Sequence, residues 1–213
     1  VSTLIFIIVS LPKKLPRIFL QNYNTDKNYR WGYAKLLRNN TVFNREKQEM
    51  LEMKRGLFID IFPCDNVPDK FIAKKIFSLK CFWVRKNSYA PVGAKYESNK
   101  IYRLFYKILS HNSLAYIRKL YDALACQCLD ENTKRVRIVA WSSKRENEGF
   151  PRKWMEDRIE YEFEGHYFWG PQDSDGFLKF IYGNYMKLPP IDQRIPHSPA
   201  TYVRLLDGTE IKQ

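Results

Sequence analysis

No apolar run in this chain approaches the roughly 20 residues that a membrane-spanning helix requires. The segment Leu4-Ile-Phe-Ile-Ile-Val9 is far shorter, and no basic stretch precedes it as in a secretory signal. Its β-branched and aromatic content predicts a buried strand instead. Cysteine is sparse: Cys64, Cys81, Cys126 and Cys128 show neither paired CxxC spacing nor a neighbouring His pair, which argues against a zinc site. Reduced structural thiols and a cytoplasmic protein are expected. No fixed-period repeat or low-complexity tract is present, which excludes solenoid and propeller arrays. Acidic residues are missing altogether from positions 1–16.

What is abundant is positive charge. Lys and Arg outnumber Asp and Glu by 36 to 23, a net +13, and such a surplus attracts phosphates, nucleic acid or an anionic membrane face. The Coulomb term alone does not choose among them, and a solvated basic surface is the plainer reading. No nucleic-acid reader motif accompanies the charge, so specific nucleic-acid binding is not expected. Aromatic residues make up 15% of the chain, which argues for a packed core or pocket rather than disorder. The 213 residues suit one domain, 1–213.

Strands and helices intermix along the chain, predicting an α/β or α+β fold. Alternation over Tyr29–Leu37, ended by Asn39-Asn40, predicts a strand. Residues 44–55 read as a charged surface connection. Leu57–Phe62, bounded by Gly56 and Pro63, reads as a short buried strand. Apolar residues at helical spacing predict helices from Asp69 to about Lys86, from Ser98 (as N-cap) to about Leu109, and from Ser113 to about Cys128. The second of these would bury Ile101, Leu104, Phe105 and Ile108; the third, Leu114, Ile117, Leu120, Tyr121 and Leu124. Period-two patterns over Arg135–Trp141 and Arg158–Phe163 predict half-buried strands, and a short helix is expected from Ser174 to Tyr185.

Two segments carry chemistry. In Gly56-Leu-Phe-Ile-Asp-Ile-Phe-Pro63, alternation turns Asp60 away from Ile59 and Ile61, and a carboxylate in an apolar strand needs a cation, a donor or water. It is either a metal ligand or general base, or a salt-bridged aspartate; spacing alone favours the latter. In Tyr182-Gly-Asn-Tyr-Met-Lys-Leu-Pro-Pro190, Gly183 eases the backbone at a helix end and the prolines impose an extended course. Tyr182, Tyr185, Lys187, Arg194 and His197 could converge on a phosphate there, or simply form a structural cap.

The order of these pieces resembles the LicD family of phosphocholine and phospho-alcohol transferases, relatives of the fukutin-type phosphotransferases. The resemblance rests on Tyr33-Ala-Lys-Leu-Leu37 with Asn39-Asn40-Thr41, on Gly56–Pro63 continuing to Asp65 and Pro68, and on Phe163-Glu-Gly165, Pro171, Tyr182-Gly183, Pro189-Pro190, Arg194 and His197. It implies a nucleotidyltransferase-like mixed sheet flanked by helices, with carboxylates of neighbouring strands holding a divalent metal, Mg²⁺. Asp60 resembles the later carboxylate of that set. The family's Asp-rich segment, expected upstream of the Tyr33 strand, is absent, so the domain reads as N-terminally incomplete or degenerate.

The resemblance further implies transfer of phosphocholine, or a similar phospho-alcohol, from a CDP-choline-like donor to a glycan or glycolipid acceptor of the cell surface, such as lipopolysaccharide or teichoic acid. A non-catalytic homologue that binds nucleotide or glycan is the alternative. Lys35, Arg38 and Arg194 are the candidates for the pyrophosphate, His197 for a phosphate contact or proton relay, and Trp31, Trp141, Trp169 and Tyr182 for a cationic head group. A cytoplasmic enzyme peripheral to the inner, anionic membrane face would suit the charge.

Overall fold

Turn residues and prolines break the first third of the chain into strands too short to stand alone, and these pair as antiparallel ladders. The computed structural model of the chain describes residues 17–128, 132–140, 149–194 and 199–212. Its first strands are β1 (Ile18–Gln21), β2 (Ala34–Arg38), β3 (Val42–Arg45), β4 (Phe58–Ile61) and β5 (Asp65–Val67). Helices α1 (Phe71–Tyr96), α2 (Lys100–Leu109) and α3 (Leu114–Ala125) follow, then β6 (Arg135–Arg137), β7 (Phe150–Pro151), α4 (Lys153–Glu156), β8 (Arg158–Phe163), β9 (His166–Pro171) and α5 (Ser174–Tyr182). A 3₁₀ turn (Ile191–Gln193), β10 (Ala200–Arg204) and β11 (Glu210–Lys212) complete the order.

The fold is α+β. Four small sheets, β1-β2-β4, β11-β10-β3, β5-β6-β7 and β8-β9, hold the strands, and every pairing among the described residues is antiparallel. The parallel pairings of a mixed sheet are not seen among them. The predicted strand at Leu4–Val9 lies outside the described residues, as do Trp141 and His197.

The strand predicted over Tyr29–Leu37 narrows to Ala34–Arg38 because its first residues are committed elsewhere. Tyr29 is fully buried, and Gly32 lies against the Tyr121 ring of α3. The Arg30 guanidinium reaches α1, where Nε donates to the Ser88 carbonyl at 2.6 Å and Nη2 to the Asn87 carbonyl at 3.3 Å. That contact explains why α1 continues to Tyr96, well past the expected end near Lys86. Pro91 has no N–H to offer the Asn87 carbonyl four residues back, and Arg30 supplies the missing donor.

Helix α2 is capped by Asn99, whose Oδ1 accepts from the Ile101 and Tyr102 amides, rather than by Ser98. Its orientation also differs from expectation. Tyr106 and Leu109 face the core, whereas Ile101, Leu104 and Ile108 are exposed. Gly93 of α1 decides this: a Cβ there would come within 2.4 Å of the Tyr106 ring, so the glycine opens the slot that the tyrosine fills. Helix α3 matches its sequence pattern, capped by Ser113 and burying Ile117, Tyr121 and Leu124 against Val67, Phe77, Cys81 and Val84. A second cluster joins Val136, Ile138, Phe150 and Trp154 to Phe62, Phe177, Phe180 and Ile181, packing α5 near the end of β4. Strand β8, expected to be half-buried, pairs with β9 as a hairpin and is exposed along its whole length.

Candidate functional site

Side chains alternate along a strand, and the β2–β4 register pairs Lys35 with Asp60 and Leu37 with Phe58, so these four share one face. The Lys35 ammonium lies 2.8 Å from Asp60 Oδ1. That oxygen is enclosed, and the Lys35 ammonium is the cation that compensates it. Lys35 is only 6% exposed, and its Nζ sits over the Phe58 ring, 3.3 Å from the centroid. Burial lowers the Lys35 pKa, outweighing the upward pull of Asp60. Strand β4 itself is less buried than its composition predicts: Ile59, on the opposite face, is 69% exposed.

Lys35 forms part of a cleft walled by the rings of Trp31, Tyr33, Phe43 and Phe58 and by the cations Arg45, Lys54 and Arg55. A second depression, of about 160 Å³, is lined by Phe19, Arg38, Asn39 and Thr41 and shares Leu37, Lys54 and Arg55 with the first. Together they form a basic, aromatic trough along β2.

Lys54 is placed by a buried network: Asp26 Oδ2 accepts from the Lys54 amide and from Gln21 Nε2, each at 2.8 Å, and Gln21 Nε2 also donates to the Lys54 carbonyl at 2.9 Å. Its ammonium stands 3.8 Å from the Phe19 ring centroid. Arg55 braces the segment before it, donating to Asn44 Oδ1 at 3.2 Å and to the carbonyls of Glu49 and Leu51. Among the described residues, no hydrogen bond or ion pair engages the Arg45 guanidinium, which faces the cleft with its charge available.

The segment 44–55, read from sequence as a surface connection, therefore contributes three of the four cleft cations. Its charge pattern gave the signal, but only the β3–β10 pairing and the Arg55 brace fold it over β2.

The remaining sequence candidates do not converge here. Tyr182 ends α5 and is 69% exposed. Arg194, also exposed, donates from Nε to the Pro189 carbonyl at 3.0 Å, and Tyr185 donates to Asp175 Oδ1. Gly183 does close α5, with φ of 73°. Of the aromatic residues considered for a cationic head group, Trp31 stands in the cleft, whereas Trp169 lies exposed on β9.

Magnesium does not fit the described residues. It requires several oxygen ligands in octahedral geometry, and here Asp60 faces an ammonium at 2.8 Å. No group of three His, Cys, Asp or Glu side chains is placed to hold a cation among the described residues.

A second carboxylate follows on β5. Asp65 is largely buried, and desolvation pushes its pKa up to about 6. A carboxyl raised above its ordinary range is best tolerated protonated, so its burial costs stability increasingly as pH rises from about 4 through about 6. Asp65→Asn is expected to be more stable than the parent by about 1–3 kcal/mol near neutral pH and nearly equal to it near pH 4. Urea midpoints at the two pH values check this; parallel shifts at both would exclude it.

Compared with models of known protein families, with characterised proteins and with solved structures, the chain matches none.

Proposed function

We propose that this chain is a LicD-type domain that binds a nucleotide diphosphate-linked alcohol along the β2 trough, for transfer of the phospho-alcohol to a cell-surface glycan precursor. One observation carries the binding half of this reading: Lys35, Arg45, Lys54 and Arg55 gather around four aromatic rings on a single cleft, with Arg38 in the adjoining depression. Cations of this kind complement pyrophosphate oxygens, and the rings offer faces for a base or a quaternary ammonium. The transfer half is supported by the order of the sequence segments around Lys35, Asp60 and Tyr182.

A second reading, binding without turnover, is favoured by the Lys35–Asp60 contact. It neutralises the carboxylate that the chemistry would call upon.

Titration calorimetry with CDP-choline separates these readings from a merely solvated surface. Arg45→Gln with Lys54→Gln is expected to weaken binding roughly 10- to 100-fold, as lost charge-assisted contacts do. Affinity unchanged by both substitutions would refute the trough as the site. Release of cytidine monophosphate in the presence of an acceptor glycan, abolished in Asp60→Asn, supports transfer; intact binding with no release supports the second reading.

A further inference from the structure

Helices α1 and α2 leave a continuous apolar face without a partner. On α1, Ile72, Ile76, Leu79 and Trp83 recur at helical spacing and are exposed, with Phe82 beside them. On α2, Ile101, Leu104 and Ile108 form the corresponding stripe, with Ile101 79% exposed. The two stripes meet where the Trp83 and Phe105 rings lie 6.4 Å apart, so they make one surface rather than two.

The charge around this face is of one sign. Residues 70–110 carry ten Lys and Arg side chains and a single acidic one, Glu97. Two of them stand near exposed rings: the Lys75 ammonium is 5.4 Å from the Phe71 centroid, and the Lys86 ammonium is 5.2 Å from that of Phe82 while donating to the Tyr106 hydroxyl. Another exposed apolar region, the β8–β9 hairpin, has the opposite character, with Glu160, Glu162 and Glu164 interleaved among its aromatics. An exposed apolar patch rimmed by cations fits an interface that is itself apolar beneath and anionic above. No described helix is long and apolar enough to cross a membrane, so the helices would lie along such a surface.

We propose that the α1–α2 face is a docking surface for anionic lipid bilayers, with Ile76, Leu79, Ile101 and Leu104 entering the headgroup boundary and Lys75, Lys80, Lys100 and Lys107 meeting the lipid phosphates. This inference stands independently of the transferase reading.

Co-sedimentation of the full chain with vesicles tests it, using phosphatidylcholine alone and phosphatidylcholine with an equal amount of phosphatidylglycerol. Binding is expected chiefly to the anionic vesicles and to weaken with salt. Leu79→Ser with Leu104→Ser should reduce the partition coefficient about tenfold or more, and Lys75→Gln with Lys107→Gln about tenfold on anionic vesicles only. All four side chains are exposed, and unchanged circular dichroism and melting temperature will show that the variants remain folded. Partitioning unaffected by the apolar substitutions would overturn the proposal, as charge alone would then account for it. Absence of vesicle binding, with light scattering showing a dimer that the same substitutions dissociate, would assign the face to a second copy of the chain instead.

Discussion

Lys35→Met is expected to destabilise the protein by about 2–4 kcal/mol, read as a shift in urea midpoint at neutral pH. Methionine keeps most of the lysine's length and apolar stem, so lost packing is a small part of the effect. What it removes is the ammonium 2.8 Å from an enclosed Asp60 oxygen. Breaking a buried pair from one side leaves an uncompensated charge, and the range is set somewhat below that of fully buried pairs because the Asp60 side chain is 29% exposed. The double variant Lys35→Met with Asp60→Leu should recover much of the loss, since both charges then leave together. A cycle with coupling below about 0.5 kcal/mol would show that water, not Lys35, solvates Asp60.

Gly32→Ala is expected to cost at least about 3 kcal/mol, although it adds a single methyl group. The new Cβ would lie 2.1 Å from one ring carbon of Tyr121 and 2.2 Å from the next, well inside contact distance. The ring has nowhere to go: Tyr121 is 7% exposed in the core between α1 and α3, and its hydroxyl is 3.1 Å from Ser88 Oγ. Either the strand entry must shift, disturbing the Arg30 contacts that support α1 around Pro91, or the core must open. In a Tyr121→Ala background the Gly32→Ala substitution should cost far less than in the parent, since the Cγ and ring atoms that the new methyl would meet are then gone. A Gly32→Ala protein within about 0.5 kcal/mol of the parent would mean that the packing is looser than these distances require.

Where local rules are strong, the elements were legible from residues alone. Ser113 before an apolar stripe predicted the start of α3, and the side that it buries agrees, because Ile117, Tyr121 and Leu124 recur on one face with no competing pattern. Gly183, expected to ease the backbone near the end of α5, closes the helix itself, so that it stops at Tyr182 and not at the predicted Tyr185. The intermixed order of strands and helices likewise pointed to α+β.

The sites of disagreement are those where long-range contacts outweigh periodicity. Helix α2 has two usable apolar faces, and the slot at Gly93, remote in sequence, selects the one with Tyr106. Residues 29–33 have strand propensity, yet Arg30 and Gly32 are drawn off by α1 and α3.

For the site, the sequence by itself determined that Asp60 would need a cation, a donor or water, and that phosphate-seeking charge was in surplus. It could not say that the cation is Lys35, which follows from β2–β4 register. Nor could it say that Arg45, Lys54 and Arg55 fold over the same strand while Tyr182 and Arg194 stay outside. Register and loop closure are set by the sum of many distant contacts, and that sum is written only in the tertiary structure.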